Sequence, residues 1–264
     1  KKYVNEVESK KIDIKLTKTE KDWIKNNTVR VGIEQWAPII FSNTGKDIDG
    51  ISGDILKLIV EKTGLKITII NNLWNPLLNG LKNKTIDLLP ATYHTQERAT
   101  YGLYSPAYYK MLHYIYVKED NSNVKTMSDL NGKTLAIPKG FGTIPKIKKK
   151  FPKIKIIETV DLMDSINRVL DGKVDALFDG QIAVEYKIQD DLISGLKGIV
   201  QKDFNAAQLH LFSRDDQPIL HSILNKALKS IPKYEINKIK AKWLLEKQNN
   251  EEITKLNKEE EELK

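Results

Sequence analysis

Cysteine is absent from this chain of 264 residues. Its absence excludes disulfide bonds, thiolate metal sites and cysteine nucleophiles together, and it fits an oxidising and a reducing compartment equally well. Histidine is scarce, and the four histidines (His94, His113, His210 and His221) show no spacing typical of metal ligands. The sequence therefore predicts neither a metal site nor a cofactor.

Long apolar runs are also missing. No run approaches the roughly 18 residues of a membrane span, and no signal peptide is recognisable. The net charge is +8, but the lysines are scattered, apart from the stretch Lys146–Lys153, and they do not alternate with aromatic residues. This pattern favours a solvated lysine-rich surface over nucleic-acid binding. Because the chain starts at Lys1 without a methionine, we expect a trimmed or mature segment of a longer protein.

Strand-like and helix-like segments alternate along most of the chain. In the first half, Val29–Ile33, Lys66–Ile70 and Ile86–Leu89 have the pattern of strands, with helical stripes between them. A second set of strands and helices begins at Lys133 and continues to Ile188. Such alternation is typical of βαβ units, and it predicts an α/β protein with largely parallel sheets.

Two predicted crossings divide this pattern into two lobes. A polar loop follows Val117, and the pattern predicts that the chain returns near Ile199–Ala207. The predicted organisation is a lead-in (1–16), a first lobe (17–117 and 205–247), an inserted second lobe (118–204) and a charged tail (248–264). The two crossings form a hinge, and the cleft between the lobes is the natural ligand site.

Arg98 is the first candidate for ligand binding. The buried run Ile86–Leu89 ends in a polar loop that carries Thr95-x-x-Arg98. Ligands of open α/β sheets bind outside the carboxyl ends of the strands, and the planar guanidinium suits a carboxylate. The alternative is a surface ion pair between Arg98 and either Glu97 or Asp87.

Several segments, each weak alone, occur in an order that is informative. They are Leu16–Trp23, Val29–Ile33 with Trp36–Pro38, Gly50–Asp54, Trp74 with Ile86–Pro90, Thr95–Arg98 with Ser105–Tyr108, Leu135–Gly140, Gly172–Ala176 and Ile239–Trp243. Together they make the chain resemble the type II periplasmic solute-binding proteins of the polar amino acid class. Its two ends resemble more specifically the Venus-flytrap sensor domains of bacterial sensor histidine kinases. The resemblance implies a two-lobed periplasmic-binding-protein fold with two hinge crossings.

The resemblance also implies roles for residues of the first lobe. Arg98 matches the arginine that grips the ligand α-carboxylate, and Glu34 lies where an acidic residue near the ligand ammonium is common. A solvated loop carboxylate is the alternative for Glu34. An aromatic wall is implied for Trp36, Phe41 and Trp74, with plain core packing as the alternative. The loop after the third strand, Ala91, Thr92 and Tyr93, is expected to offer polar groups to the ligand.

In the second lobe, the loop Gly140-Phe-Gly-Thr143 matches a ligand-binding loop of the family. Phe141, Gly142 and Thr143 are therefore expected at the site, with backbone N–H groups at the following helix start completing carboxylate binding. Asp179 follows a predicted strand, where the family places a ligand for the amine; a helix N-cap is the alternative. Tyr93 and Phe141 depart from the family pattern, which has small hydroxyl residues at both positions.

These implications predict an extracytoplasmic, membrane-tethered sensor domain that is not an enzyme. It would capture a small carboxylate-bearing solute, with an amino acid favoured, and signal by hinge closure through the helix 234–247 to a membrane-anchored module. The alternative is a free solute-binding protein that feeds an ABC permease. A third and less favoured hypothesis is an enzyme similar to cyclohexadienyl dehydratase, in which Glu34 and Asp179 would serve as acid and base.

Overall fold

A computed structural model describes residues 14–201, 204 and 207–243. The helices are α1 (Lys18–Asn26), α2 (Ile51–Thr63), α3 (Trp74–Lys82), α4 (Ile144–Lys150), α5 (Leu162–Leu170), α6 (Gln181–Asp190) and α7 (Pro218–Ser230), and residues 233–243 are also helical. The strands are β1 (Val29–Ile33), β2 (Ile67–Asn71), β3 (Leu88–Tyr93), β4 (Gly102–Tyr104), β5 (Tyr109–Met111), β6 (His113–Lys118), β7 (Thr134–Pro138), β8 (Lys155–Thr159), β9 (Ala176–Gly180), β10 (Leu196–Val200) and β11 (Ala207–Arg214).

The strands form two separate sheets. The first has the order β2-β1-β3-β11-β4, with β5 also paired to β11, and the second has the order β10-β6-β9-β7-β8. Among the described strands of the first sheet, β11 alone runs against the others. In the second sheet, β6 alone runs against the others. The prediction of largely parallel sheets is therefore confirmed, with one reversed strand in each sheet next to a crossing.

The first crossing lies earlier than predicted. Residues 113–117 were placed in the first lobe, but they belong to β6, which pairs with β9 and β10 in the second sheet. The chain therefore passes between the sheets at Leu112, between β5 and β6. The period-two pattern of this segment indicates a strand, but it carries no information about which sheet the strand joins. The other lobe limits stay predictions, and the tail 248–264 and most of the lead-in lie outside the described residues.

Local sequence signals explain where several elements begin and end. Thr17 starts α1 with a capping box, in which its hydroxyl accepts a hydrogen bond from the Glu20 amide and the Glu20 carboxylate accepts one from the Thr17 amide. α2 ends at Gly64, which adopts a left-handed conformation (φ 74°) that suits glycine. β3 and β9 are buried at every residue, so the central strand of each sheet is covered on both faces. Among the described helices, none is long and apolar enough to cross a membrane.

Candidate functional site

The predicted residues converge where the two sheets approach each other. Glu34 follows β1, Tyr93 ends β3, and Trp74 begins α3, all in the first half of the molecule. From the second half comes Phe141, in the loop between β7 and α4. The site is therefore built by the carboxyl ends of strands, as expected for α/β sheets.

Two connected cavities occupy this junction. The inner cavity, of about 10 Å³, is lined by Glu34, Trp36, Trp74, Ala91, Tyr93, Arg98, Phe141 and Gly142. The outer cavity, of about 700 Å³, shares four of these residues, namely Glu34, Trp36, Trp74 and Phe141. Its remaining lining includes Phe41, Asn71, Asn72, Asp161, Tyr186, Lys187 and Asp190. Eight of the predicted residues thus line the inner cavity, and Phe41 lines the outer one.

Arg98 lies at the end of a polar loop and is only 3% exposed. Its Nη1 donates a hydrogen bond to the Tyr93 carbonyl (2.7 Å), and its Nη2 donates one to the Gly140 carbonyl of the other half (2.6 Å). The guanidinium carbon lies 5.2 Å from the ring centre of Trp74. Burial lowers the pKa of Arg98 from its usual value. The guanidinium is thus oriented towards the inner cavity and bridges the two halves.

The alternative ion pair of Arg98 with Asp87 is not formed. Asp87 instead pairs with Arg30 (2.8 Å) and Arg214 (3.0 Å). Among the described residues, no ion pair joins Arg98 to Glu97 either, although the charge of Glu97 raises the pKa of the guanidinium slightly against the effect of burial. The guanidinium of Arg98 is therefore bound by carbonyl oxygens and lies beside the Tyr104 hydroxyl, and no carboxylate of the described residues forms an ion pair with it.

Two carboxyl groups face this arginine region. Burial, assisted by the charge of Asp179, raises the pKa of Glu34 to about 8, and Arg98 acts in the opposite direction. Burial also raises the pKa of Asp179 to about 7, while the Gly180 amide and Trp36 oppose the shift. Asp179 is 1% exposed. Both groups resist ionisation in the absence of a cation, so a bound ammonium or guanidinium would stabilise their charged form.

Asp179 does not act as a helix cap. It lies within β9, and its Oδ1 accepts a hydrogen bond from the amide of Gly180 (2.6 Å), whereas α6 begins after Gly180 without a side-chain cap. The other oxygen, Oδ2, and the indole nitrogen of Trp36 make no hydrogen bond of good geometry among the described residues, although Trp36 lies close enough to Asp179 to lower its pKa. The hydroxyl of Thr143 has no hydrogen-bond partner among these residues either. Poorly satisfied buried polar atoms cost free energy, so a ligand or ordered water at these atoms would be stabilising.

The aromatic residues form a continuous wall. Trp36 contacts both Tyr93 and Phe141 edge to face, with ring centres 5.8 Å apart in each pair. Trp74 donates a hydrogen bond from its indole nitrogen to the Gly140 carbonyl (3.1 Å). These rings line the inner cavity and also pack against each other, and their role as a wall for the ligand stays a prediction.

The segment Ala91–Tyr93 is strand rather than loop. β3 continues to Tyr93, because Thr92 and Tyr93 pair with His210 and Leu209 of β11. Alternation along the strand places Ala91 and Tyr93 on the cleft side and Thr92 on the opposite side. The hydroxyl of Thr92 donates to the Leu89 carbonyl (3.2 Å), and Thr92 lines neither cavity. Thr92, like Thr143 and Asp179, therefore lines neither cavity, and its predicted contact with the ligand stays a prediction that this position does not support.

The loop before α4 approaches the first half closely. A Cβ atom at Gly142 would lie 3.0 Å from Cβ of Tyr93 and 3.1 Å from Nη1 of Arg98, so glycine permits this contact. Gly140 has a positive φ of 80° and turns its carbonyl towards Trp74 and Arg98. The loop thus contributes a carbonyl oxygen to the arginine.

Sequence reasoning missed several residues of the site. His113 contacts the hydroxyl of Tyr93 (3.1 Å) and stacks on Phe178, and burial lowers its pKa to about 3. Asp161 and Tyr186 line the outer cavity. The rule of strand ends would have found Asp161, which follows β8, but Tyr186 lies within α6 and carries no such signal. No cluster of potential metal ligands occurs among the described residues.

Comparisons with known proteins give consistent matches. The family described as "Bacterial extracellular solute-binding proteins, family 3" matches residues 29–246. The virulence sensor protein BvgS of Bordetella bronchiseptica is 27% identical over 227 residues, which cover 85% of this chain and 18% of BvgS. The chain therefore spans less than a fifth of the length of that relative. The arginine-binding extracellular protein ArtP of Bacillus subtilis is 30% identical over 208 residues, covering 75% of this chain and 79% of ArtP.

A solved structure agrees with these matches. The crystal structure of the periplasmic VFT2 domain of BvgS from Bordetella pertussis superposes with a TM-score of 0.78 and 26% identity, covering 86% of this chain and 98% of that domain. The predicted two-lobed Venus-flytrap fold is thereby confirmed. The predicted resemblance to solute-binding proteins and sensor domains is confirmed as well.

Proposed function

Since the chain belongs to family 3 of the bacterial extracellular solute-binding proteins, we propose that it is an extracytoplasmic sensor domain for a small carboxylate-bearing solute. An amino acid is the favoured ligand. It would lie between the two halves and bias the equilibrium between open and closed forms by its differential affinity for them. The domain would be tethered to a membrane-anchored signalling module. The proposal includes no catalytic step and no cofactor.

The charge arrangement of the inner cavity is the observation that carries the proposal. Arg98 is buried, forms no ion pair with a carboxylate of the described residues, and donates hydrogen bonds to two carbonyl oxygens. Burial raises the pKa values of Glu34, which lines the cavity, and of the nearby Asp179 to about 8 and about 7. A zwitterion satisfies both sides, because its carboxylate suits the guanidinium and its ammonium suits the carboxylates.

The unpartnered buried atoms support the same ligand. Trp36 Nε1 can donate to a ligand oxygen, Asp179 Oδ2 can accept from an ammonium, and the Thr143 hydroxyl can do either. All three belong to residues that are at most 4% exposed. A ligand that engages them replaces costly unsatisfied groups with hydrogen bonds.

A sensor role is favoured over a transport role by the relatives of the chain. The Bordetella sensor protein aligns with 85% of it, and the sensor domain structure superposes with a TM-score of 0.78. The alternative, a free binding protein of an ABC amino acid transporter, is supported by the similarity to the arginine-binding protein ArtP. The gene sequence beyond residue 264 distinguishes the two, because a sensor continues into a membrane helix and an output domain.

Isothermal titration calorimetry with the twenty amino acids tests the binding proposal. We expect Arg98→Gln to weaken binding of the best ligand about 10- to 100-fold, since a charge-assisted pair contributes roughly 1.5–3 kcal/mol. Arg98→Lys keeps the positive charge but loses the planar pair of donors of the guanidinium. We therefore expect a loss of affinity between those of the wild type and Arg98→Gln.

The matched control is Arg30→Gln, which removes an arginine that pairs with Asp87 instead of lining the cleft. Thermal unfolding of each variant shows whether the fold is intact. Equal affinity of wild type and a folded Arg98 variant would contradict the role of Arg98. Failure of every amino acid to bind the wild type would contradict the proposed ligand class.

A further inference from the structure

The outer cavity is acidic although the whole chain is basic. The net charge of the chain is +8. In contrast, the ionisable lining of the outer cavity consists of the carboxyl groups of Glu34, Asp161 and Asp190 and a single cation, Lys187. That lysine is already paired with Asp191 at 2.7 Å, and Asp191 is outside the lining. The cavity lining therefore carries an excess of acidic groups, whereas the chain as a whole carries a net positive charge.

The three carboxyl groups come from different elements and surround the cavity. Glu34 follows β1 in the first half, Asp161 precedes α5, and Asp190 ends α6. Asp161 and Asp190 are exposed at the rim, whereas Glu34 is partly buried where the outer cavity meets the inner one. Asp161 and Asp190 make the electrostatic potential at the rim of the cavity more negative. Glu34 extends this negative charge inward once a bound cation favours its ionised form.

An independent feature indicates that the cavity serves a ligand. The indole nitrogen of Trp36, a residue that lines both cavities and is 4% exposed, has no hydrogen-bond partner among the described residues. Asp179, which is 1% exposed and lines neither cavity, lies beside this indole, and its Oδ2 likewise lacks a hydrogen bond of good geometry. Trp36 thus places a poorly satisfied polar atom where the two cavities share their lining.

The size and the walls of the cavity define the rest of the ligand. A volume of about 700 Å³ is large beside the inner cavity of about 10 Å³ and falls in the range of roughly 300–1,000 Å³ typical of small-molecule sites. Phe41, Trp74 and Tyr186 supply aromatic faces around it. Aromatic faces attract cations and the alkyl stems of basic side chains.

We propose that the outer cavity binds the cationic far end, a guanidinium or ammonium group, of a ligand whose other end lies in the inner cavity. The ligand is thereby a basic amino acid or a short basic peptide, in preference to a neutral or acidic one. Asp161 and Asp190 are specificity residues that sequence reasoning did not identify. This inference rests on the proposed function and narrows its ligand class.

Calorimetry with matched ligands tests the inference. Arginine is compared with citrulline and lysine with norleucine, since each pair differs mainly in the terminal charge. We expect arginine and lysine to bind at least about tenfold more tightly than their neutral partners. Asp190→Asn and Asp161→Asn are each expected to weaken the binding of arginine about two- to fivefold, as for partly exposed ion pairs. Both variants should leave the affinity for citrulline unchanged. Asparagine at 161 keeps the N-cap of α5.

Asp171→Asn is the matched control, because Asp171 is an exposed carboxylate in the same half that pairs with Lys173 and lies outside the cavity lining. Its affinity for arginine should equal that of wild type. Citrulline and norleucine binding as tightly as arginine and lysine would overturn the inference while leaving the proposed function intact. Absence of binding by any amino acid would overturn both.

Discussion

At the residue scale, the ionisation of Glu34 depends on what occupies the cleft. Asp179 and Tyr93 lie near its carboxyl group. The charge of Asp179 disfavours the ionised form of Glu34, whereas the charge of Arg98 favours it. Burial and Asp179 therefore raise its pKa to about 8, above the usual 4.5. A cationic ligand group would supply the missing counter-charge and favour the ionised carboxylate.

This shift predicts a specific pH dependence of stability. Because the folded-state pKa of Glu34 lies above the unfolded value, its contribution is fully present below about pH 4.5 and is lost as the pH rises through about 8. Relative to Glu34→Gln, the wild type without ligand should lose stability across this window, at about 1.4 kcal/mol per pKa unit as an upper limit. Urea unfolding at several pH values measures the difference, and a constant difference would contradict the shift.

At the element scale, local signals in the sequence were sufficient for many boundaries. The cap at Thr17, the C-terminal glycine at Gly64 and the strand Val29–Ile33 all follow from short-range rules. The sheet that β6 joins and the length of β3 were not predictable, because both depend on pairing with distant strands, β9 and β11. For the same reason the sequence suggested Arg98 but not its bond to Gly140, which joins two separate halves.

Contacts between aromatic rings connect the cleft to the helical segment 233–243. Phe41, which lines the outer cavity, lies 6.4 Å from Tyr186 of the second half and 5.6 Å from Trp243, measured between ring centres. Trp243 is itself fixed by a hydrogen bond from its indole nitrogen to Asp54 (3.0 Å). A change in the cleft thus has a direct packing route to this helix.

Substitution of Phe41 by leucine tests that route. We expect ligand to slow hydrogen exchange in residues 233–243 of the wild type, and this effect to be lost in Phe41→Leu because the ring contacts with Tyr186 and Trp243 disappear. The change conserves most of the volume, so the loss of stability should be below about 1.5 kcal/mol. Phe151→Leu, at the end of α4, is the control and should keep the effect. Equal protection in wild type and Phe41→Leu would exclude Phe41 as the connection.

At the scale of the whole molecule, the two sheets matter because both contribute residues to the proposed ligand site. Arg98 and Glu34 come with the first sheet, while Asp179 and the loop 140–143 come with the second. A ligand that engages both sets stabilises one relative placement of the halves, and this is what a hinge-based sensor requires. The overall charge of +8 conceals the acidic cavity, so composition alone gave no indication of the ligand.

A crystal structure with the amino acid that binds most tightly by calorimetry tests the proposed site most directly. We expect the ligand carboxylate to accept hydrogen bonds from the guanidinium of Arg98, in place of a carbonyl oxygen of Gly140 or Tyr93. We also expect the ligand ammonium within hydrogen-bond distance of Asp179 or Glu34. A ligand bound elsewhere, with the Arg98 guanidinium still bonded only to the carbonyl oxygens of Tyr93 and Gly140, would contradict the proposed site.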